Sequence, residues 1–154
     1  MNRPYETAQI ILQNSKDLKI EKIDSLVEIS HGLWEGKLEV EIREKWPILL
    51  KNWHDKPEEV IMPEGESIKD VSERSVKAFN KICSSQKDND LSLLVAHDAV
   101  NKTLICNILG INYSNIWMIK QGNGGITIID LFKDPNKPPV ISALNITTHL
   151  GGII

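Results

Sequence analysis

The sequence contains few of the residues that disulfide frameworks, metal sites or polyanion-binding surfaces require. It has only two cysteines. Cys83 and Cys106 lie in apolar helical patterns without C-x-x-C spacing, so we predict neither a disulfide framework nor a zinc site. The histidines also lack ligand spacing, and we expect no metal and no cofactor. The net charge of -3, from 18 Lys+Arg and 21 Asp+Glu, is too small to favour nucleic acid.

Long apolar runs are also missing. No run approaches the length of a membrane span, and residues 1–9 (MNRPYETAQ) lack the apolar segment of a signal peptide. We therefore expect a cytoplasmic protein without a membrane partner. A length of 154 residues suits one domain with a core of ordinary size, so we predict a single domain over residues 1–154.

The apolar residues that are present follow helix and strand periods in turn. We expect the helical pattern to break at Pro47, and Ser67 and Asp70 have the spacing of a capping box. The helical segments are residues 4–12, 37–53, 68–82 and 99–109, and the strand-like segments are residues 20–29, 91–96, 125–131 and 139–147. This alternation predicts an α/β fold.

The polar turn after residues 91–96 (LSLLVA) makes His97 the first candidate for a functional site. A residue between a buried parallel strand and the next helix faces the crevice where open α/β sheets bind ligands. The backbone amides from Asp98 onward would lie at the helix N-terminus, which favours an anion such as phosphate. The carboxylate of Asp98 would repel phosphate unless it points away. Alternatively, His97 only caps the turn.

Four separated stretches match the motifs of one known family, in the same order. They are Arg3 with YETA (5–8), LVEISHGLWEG (26–36), PEGES (63–67) and LLVAHDAV (93–100). Together they resemble the end of an Arg-Ala-x-Gln-Thr-Ala motif, a Leu-x-Glu-x-x-x-Gly-x-Trp-Glu-Gly segment, a Pro-Gly-Gly-Glu-Ser motif and the second-histidine motif of the histidine phosphatase superfamily, also called phosphoglycerate mutase-like. The Ala-His-Asp-Ala-x-Asn-Lys-Thr-Leu form and the closing NITTHLGG look like a cyanobacterial-type branch.

This resemblance implies a three-layer α/β/α sandwich and phosphoryl transfer through a phosphohistidine on a small phosphorylated metabolite. It gives His97 the second-histidine role and makes Arg3 the phosphate-clamping arginine, and the Asp98 backbone amide at the helix N-terminus is a further predicted phosphate ligand. Glu28 becomes the general acid that protonates the leaving alcohol and later activates water. An arginine suits phosphate because its planar fork donates two hydrogen bonds, and phosphoryl transfer depends above all on positioning and charge stabilisation.

Other residues near these motifs have less specific roles. We expect Trp34 and Asn123 to line the substrate pocket, and Arg74 to pair with Glu66 or Asp70 rather than to contact substrate. Several assignments have plain structural alternatives. Arg3 could be an exposed terminal charge, Glu28 a solvated carboxylate and Trp34 a core residue.

The family's Arg-His-Gly motif, which carries the nucleophilic histidine after the first strand, occurs nowhere in the sequence. None of the other histidines, His31, His54 and His149, lies at the end of an apolar strand before the helix that opens the chain. We therefore expect an N-terminally incomplete domain that lacks the first central strand and exposes unpaired backbone edges and apolar faces. Loss of a covalent nucleophile removes ~10³ to 10⁶-fold of rate, so ordinary catalysis by this chain alone should fail.

Three functions follow from these observations. The first is a phosphatase or phosphoglycerate mutase domain without its nucleophile segment. The second is a non-catalytic module that binds phosphate esters, and the third, a Ser-His-Asp hydrolase, lacks the G-x-S-x-G elbow that such enzymes carry. The predicted partner is a small phosphorylated metabolite, and the sequence leaves a homodimer open.

Overall fold

The computed structural model describes residues 2–15, 17–134 and 136–151. Helices account for most of the regular structure in these ranges, with short 3₁₀ turns between them. The helices are α1 (Arg3–Leu12), α2 (Glu39–Lys45), α3 (Pro47–Asp55), α4 (Ile68–Ser85) and α5 (Asp98–Leu109), and the strands are β1 (Ile126–Asp130) and β2 (Val140–Ile146). Every helix in the described ranges is too short or too polar to cross a membrane.

The main hydrophobic core forms where α4 packs against α5. The predicted capping box at the start of α4 is confirmed, because the Ser67 hydroxyl accepts the amide of Asp70 at 3.1 Å and the Asp70 carboxylate accepts the amide of Ser67 at 2.8 Å. Gly110 ends α5 in the left-handed region at φ 64°, a conformation that favours glycine. The buried residues of this core are Ile29, Ile68, Val71, Phe79, Ala99, Val100, Leu104, Ile105, Cys106, Ile116 and Ile119.

A second, smaller hydrophobic cluster lies around α2 and α3. The predicted break at Pro47 is confirmed, since α2 ends at Lys45 and the proline becomes the first residue of α3, where its missing N–H costs no helical hydrogen bond. The buried residues of this cluster are Trp34, Ile42, Leu50, Val60 and Met62.

Two of the four predicted strands are present. Residues 125–131 and 139–147 contain β1 and β2, which pair antiparallel with Asp130 opposite Val140. The predictions for residues 20–29 and 91–96 are wrong. Residues 24–26 form a 3₁₀ turn, and residues 91–96 belong to no sheet in the described part of the chain. A strand requires a hydrogen-bonding neighbour, and an apolar run alone does not supply one.

Residues 91–94 line a groove of about 1090 Å³ together with β1 and side chains of α4 and α5. Leu91 is 97% exposed and Leu93 is 61% exposed. The exposed apolar faces expected from the sequence are therefore present in this groove. The segment that forms one of its walls leads directly to His97, at the start of α5.

Candidate active site

His97 occupies the N-cap position of α5, with extended backbone at φ -115° and ψ 171°. Its carbonyl accepts the amide of Asn101 at 2.9 Å, which begins the helix. Its side chain makes no capping hydrogen bond and is only 9% exposed, so within the described structure its imidazole does not serve as the helix cap. The first amides of α5 have no acceptor within the helix, and the helix macrodipole adds partial positive charge. This end of α5 is therefore suited to an anion.

Glu28 faces His97 from a segment without regular secondary structure. One carboxylate oxygen, Oε1, accepts the backbone amide of Ile29 at 2.9 Å. The other, Oε2, lies 3.9 Å from His97 Nδ1. The Glu28 side chain is 19% exposed, so the carboxylate is neither buried in the core nor fully solvated. A carboxylate and an imidazole held this close can exchange or share a proton with a bound ligand.

Two opposite charges act on the imidazole of His97, in addition to its burial. Burial lowers the pKa of His97 below the ordinary value of 6.5, the Glu28 carboxylate raises it, and the charge of Arg3 lowers it again. The net effect is a lowered pKa, so the imidazole is neutral at pH 7. A neutral imidazole can donate a hydrogen bond to an anionic oxygen from one nitrogen only, and an arriving phosphate favours its protonation.

Arg3 is an exposed residue at the first position of α1, and its carbonyl accepts the hydroxyl of Thr7 at 2.9 Å. Its effect on the pKa of His97 places its charge in the same region as Glu28 and His97. Glu28 and His97 thus lie side by side, and the charge of Arg3 acts on the same imidazole. Their chemical roles remain predictions.

The carboxylate of Asp98 does not stand alone at the helix N-terminus. Its Oδ2 lies 2.9 Å from the Nζ of Lys102, one turn along α5, and the Lys102 side chain is only 11% exposed. The ammonium group reduces the repulsion that Asp98 would otherwise exert on phosphate. Sequence reasoning missed Lys102, although the i,i+4 spacing of opposite charges on a predicted helix indicates such a pair.

An aromatic wall, formed by His31, Trp53 and Trp117, lies next to this ion pair. The Lys102 ammonium is 5.1 Å from the centre of the Trp117 ring, within the range of a cation–π contact. Trp117 packs edge-on against Trp53 with ring centres 5.0 Å apart, and Trp53 packs edge-on against His31 at 5.8 Å. Because His31 follows Glu28 by three residues, the wall connects α5 with the Glu28 segment. Sequence reasoning did not assign His31 or Trp117 to such a wall.

The structure does not bring the two predicted pocket residues to this place. Trp34 is 5% exposed and packs in the second cluster, so the prediction that it lines a pocket is corrected to that of a core residue. Asn123 is exposed in a turn where the Gly125 amide donates to the Gly122 carbonyl at 2.9 Å. No described contact joins Asn123 to Glu28 or His97. In the described part of the chain, no group of three or more His, Cys, Asp or Glu residues could hold a metal ion.

Arg74 pairs with Glu66 through two hydrogen bonds, of 2.7 Å and 2.9 Å, which confirms the predicted pairing. The same guanidinium also reaches backbone carbonyls of the segment that carries Glu28. These backbone contacts were not predicted. Their acceptors carry no signature in the sequence.

Comparison with known proteins identifies relatives across nearly the whole chain. A family model described as the histidine phosphatase superfamily (branch 1) matches residues 1–146. Phosphoserine phosphatase 1 of Hydrogenobacter thermophilus is 34% identical over 151 residues, which cover 98% of this chain and 69% of that protein. The 2-carboxy-D-arabinitol-1-phosphatase of Triticum aestivum is 26% identical over 143 residues, covering 93% and 28% respectively.

Solved structures with the same fold include enzymes of this kind. YhfR of Bacillus stearothermophilus has a TM-score of 0.87 at 26% identity, over 96% of this chain and 71% of that one. A phosphoserine phosphatase variant of Entamoeba histolytica, solved in complex with phosphoserine, has a TM-score of 0.79 at 28% identity, over 96% and 71%. The predicted phosphoglycerate mutase-like α/β fold is therefore confirmed.

Proposed function

Because the chain belongs to the histidine phosphatase superfamily (branch 1), we propose that it supplies the phosphate-binding and acid–base groups of an enzyme that hydrolyses a small phosphate ester. One observation carries this proposal. Glu28 Oε2 lies 3.9 Å from His97 Nδ1, and the charge of Arg3 acts on the same imidazole at the N-terminus of α5. A cation, a neutral imidazole and free helix amides suit a phosphoryl group, and a nearby carboxyl group suits its leaving alcohol.

The roles follow from this arrangement. Arg3, His97 and the first amides of α5 hold the non-bridging phosphoryl oxygens as negative charge shifts during transfer. A nucleophilic histidine nitrogen bonds to phosphorus while the P–O bond of the ester breaks, and protonated Glu28 gives its proton to the departing oxygen. The resulting Glu28 carboxylate takes a proton from water, which attacks phosphorus and releases the histidine. We propose that the nucleophile belongs to an Arg-His-Gly segment, which this sequence does not contain.

The names of the relatives favour a phosphatase over a mutase. They also favour a substrate that carries a carboxylate. Phosphoserine and 2-carboxyarabinitol 1-phosphate, which name two of these enzymes, are both phosphate monoesters that also carry a carboxylate. We propose phosphoserine as the first substrate to test. The chain spans 69% of the phosphoserine phosphatase of Hydrogenobacter thermophilus and 28% of the wheat enzyme, and we propose that residues 1–154 are one part of a phosphatase domain.

Phosphate release from phosphoserine tests this function. We expect the chain extended at its N-terminus by an apolar strand segment ending in Arg-His-Gly to exceed the 154-residue chain by about 10³-fold or more. In the extended form, Glu28→Gln and His97→Ala should each lower kcat by about 10² to 10³-fold. His54→Ala, at an exposed position on α3, is the matched control and should leave the rate unchanged. Equal phosphate release by the two lengths would refute the claim that the nucleophile lies in the Arg-His-Gly segment. An extended form that hydrolyses neither phosphoserine nor p-nitrophenyl phosphate would refute the phosphatase function.

A non-catalytic phosphate-ester-binding module is the second candidate. The observation that favours it is the presence of Arg3, His97 and the α5 N-terminus in a chain without Arg-His-Gly. Calorimetric titration of the 154-residue chain with phosphoserine should then show saturable binding that His97→Ala abolishes and His54→Ala retains. Binding that is equal in both variants would remove His97 from the site.

A further inference from the structure

One guanidinium group holds the segment that carries Glu28. Arg74 Nη1 donates to the carbonyls of Ser25 at 2.9 Å and Val27 at 2.7 Å, and Nη2 donates to the carbonyl of Glu28 at 3.2 Å. Nε and Nη2 also donate to the two carboxylate oxygens of Glu66. Arginine has five N–H donors, and these five contacts use all of them. Arg74 therefore has no donor left for a substrate.

Glu66 anchors this guanidinium and also holds the same segment directly. Its Oε2 accepts the amide of Ser30 at 2.9 Å, and its own amide donates to the Ser30 carbonyl at 2.9 Å. Burial raises the pKa of Glu66, but hydrogen bonds from Arg74 and the Ser30 amide, together with the charge of Arg74, outweigh this and lower it. The carboxylate stays ionised, which keeps the bidentate pair intact.

The position of the Glu28 carboxylate depends on these contacts. Residues 27–30 belong to no helix or strand, so no regular backbone ladder fixes them. The only described hydrogen bond of the carboxylate itself is to the neighbouring Ile29 amide, which is local and moves with the segment. The 3.9 Å approach of Glu28 to His97 therefore requires that something outside the segment holds its backbone.

We propose that Arg74 is a positioning residue, whose five-donor fork fixes the backbone at residues 25–28 and so holds the Glu28 carboxylate against His97. The catalytic meaning of this inference rests on the proposed function, but its geometry can be tested without turnover. Lysine cannot replace Arg74 here, because its ammonium has three donors and no planar fork. Arg74→Lys therefore keeps the charge and removes the geometry.

The pKa of the His97 imidazole, followed by NMR, measures the coupling. Glu28→Gln should lower it, because the carboxylate that opposes burial is gone, while Arg3 still acts on the imidazole. Arg74→Lys should lower it by at least about half as much, and Glu28→Gln should then have little further effect. If Glu28→Gln lowers the pKa of His97 by the same amount in the original chain and in the Arg74→Lys variant, Arg74 only stabilises the fold.

Arg43→Lys is the matched control. Arg43 pairs with Glu39 on the exposed surface of α2, so this substitution has the same chemistry away from the site and should leave the pKa of His97 unchanged. Thermal unfolding and a two-dimensional amide spectrum first establish that each variant is folded. Should Arg74→Lys not fold, Glu66→Gln takes its place, since it removes the anchor of the fork, and the same loss of coupling is expected.

The result is independent of the phosphatase assay. Loss of coupling in a protein whose extended form releases no phosphate supports the positioning role and refutes the function. Retained coupling in a protein whose extended form is active refutes the positioning role and leaves the function intact.

Discussion

Burial and two charges of opposite sign together set the pKa of the His97 imidazole. Burial and Arg3 disfavour the imidazolium, and Glu28 favours it. Since the pKa is lowered on folding, the unfolded chain binds more protons than the folded chain when the pH falls through the ordinary value of 6.5. Folding stability contributed by neutral His97 is therefore present above this pH and is lost below it.

We predict that the free energy of unfolding falls as the pH is lowered from about 8 to about 5.5, and that His97→Gln flattens this dependence. Glutamine cannot titrate, so the proton-linked loss disappears. The pKa values of Asp70 and Glu66 are also lowered, so their share of the stability is lost at more acidic pH, below their ordinary pKa values of 3.8 and 4.5. Urea unfolding at several pH values measures this dependence. His54→Gln should retain the slope of the original chain, and a His97→Gln slope as steep as the original contradicts the prediction.

The site residues differ in how far the sequence could reveal them. Glu28 and His97 lie in motifs that can be identified in the sequence, and their side chains lie 3.9 Å apart in the structure. Arg74 could be paired with Glu66 because their charges are opposite and Glu66 lies just before the helix that carries Arg74. Its carbonyl acceptors in residues 25–28 have no side-chain signature. Trp34 was misassigned because a tryptophan beside glycines fits a pocket wall and a core equally well.

At the scale of elements, local chemistry made the helices predictable, whereas only two of the four predicted strands are present among the described residues. The start of α4 depends on Ser67 and Asp70, which are three residues apart, and the start of α3 depends on Pro47 alone. A strand depends on hydrogen bonds to residues far away in the chain. Residues 91–96 have the right composition but no ladder partner among the described residues, and so the apolar run is not a strand.

The cap of α4 should make a measurable contribution to stability. Ser67 is 7% exposed, and its hydroxyl accepts the Asp70 amide and donates to the Asp70 carboxylate at 2.6 Å. We predict that Ser67→Ala lowers the free energy of unfolding by about 1 kcal/mol, because it leaves a helix amide without its acceptor. Urea denaturation measures this change.

A serine at the other end of the same helix provides the control. Ser84 is exposed and its hydroxyl donates to the carbonyl of Lys81 in the same helix, so Ser84→Ala at this solvated position should change stability by less than about 0.5 kcal/mol. Equal losses for the two variants would show that the cap of α4 has no special contribution.

At the scale of the molecule, the groove between residues 91–94 and β1 combines exposed apolar side chains with a segment that has no strand partner among the described residues. The apolar side chains of Leu91 and Leu93 stand exposed beside β1, whose residues also line the groove. Contiguous exposed apolar surface next to an unpaired chain segment favours association with other chains. The groove also lies beside the start of α5, so a segment bound there would end close to His97.

We predict that the double substitution Leu91→Lys and Leu93→Lys suppresses self-association of the 154-residue chain at high concentration and lowers its binding of an apolar fluorescent dye. Stability should change by less than about 0.5 kcal/mol, since both side chains are already exposed. Sedimentation velocity measures the association and distinguishes a discrete dimer from open-ended assembly. Ile48→Lys is the control, because Ile48 is 75% exposed on α3 and does not line the groove. If Ile48→Lys suppresses association as strongly, general surface charge and not the groove controls it.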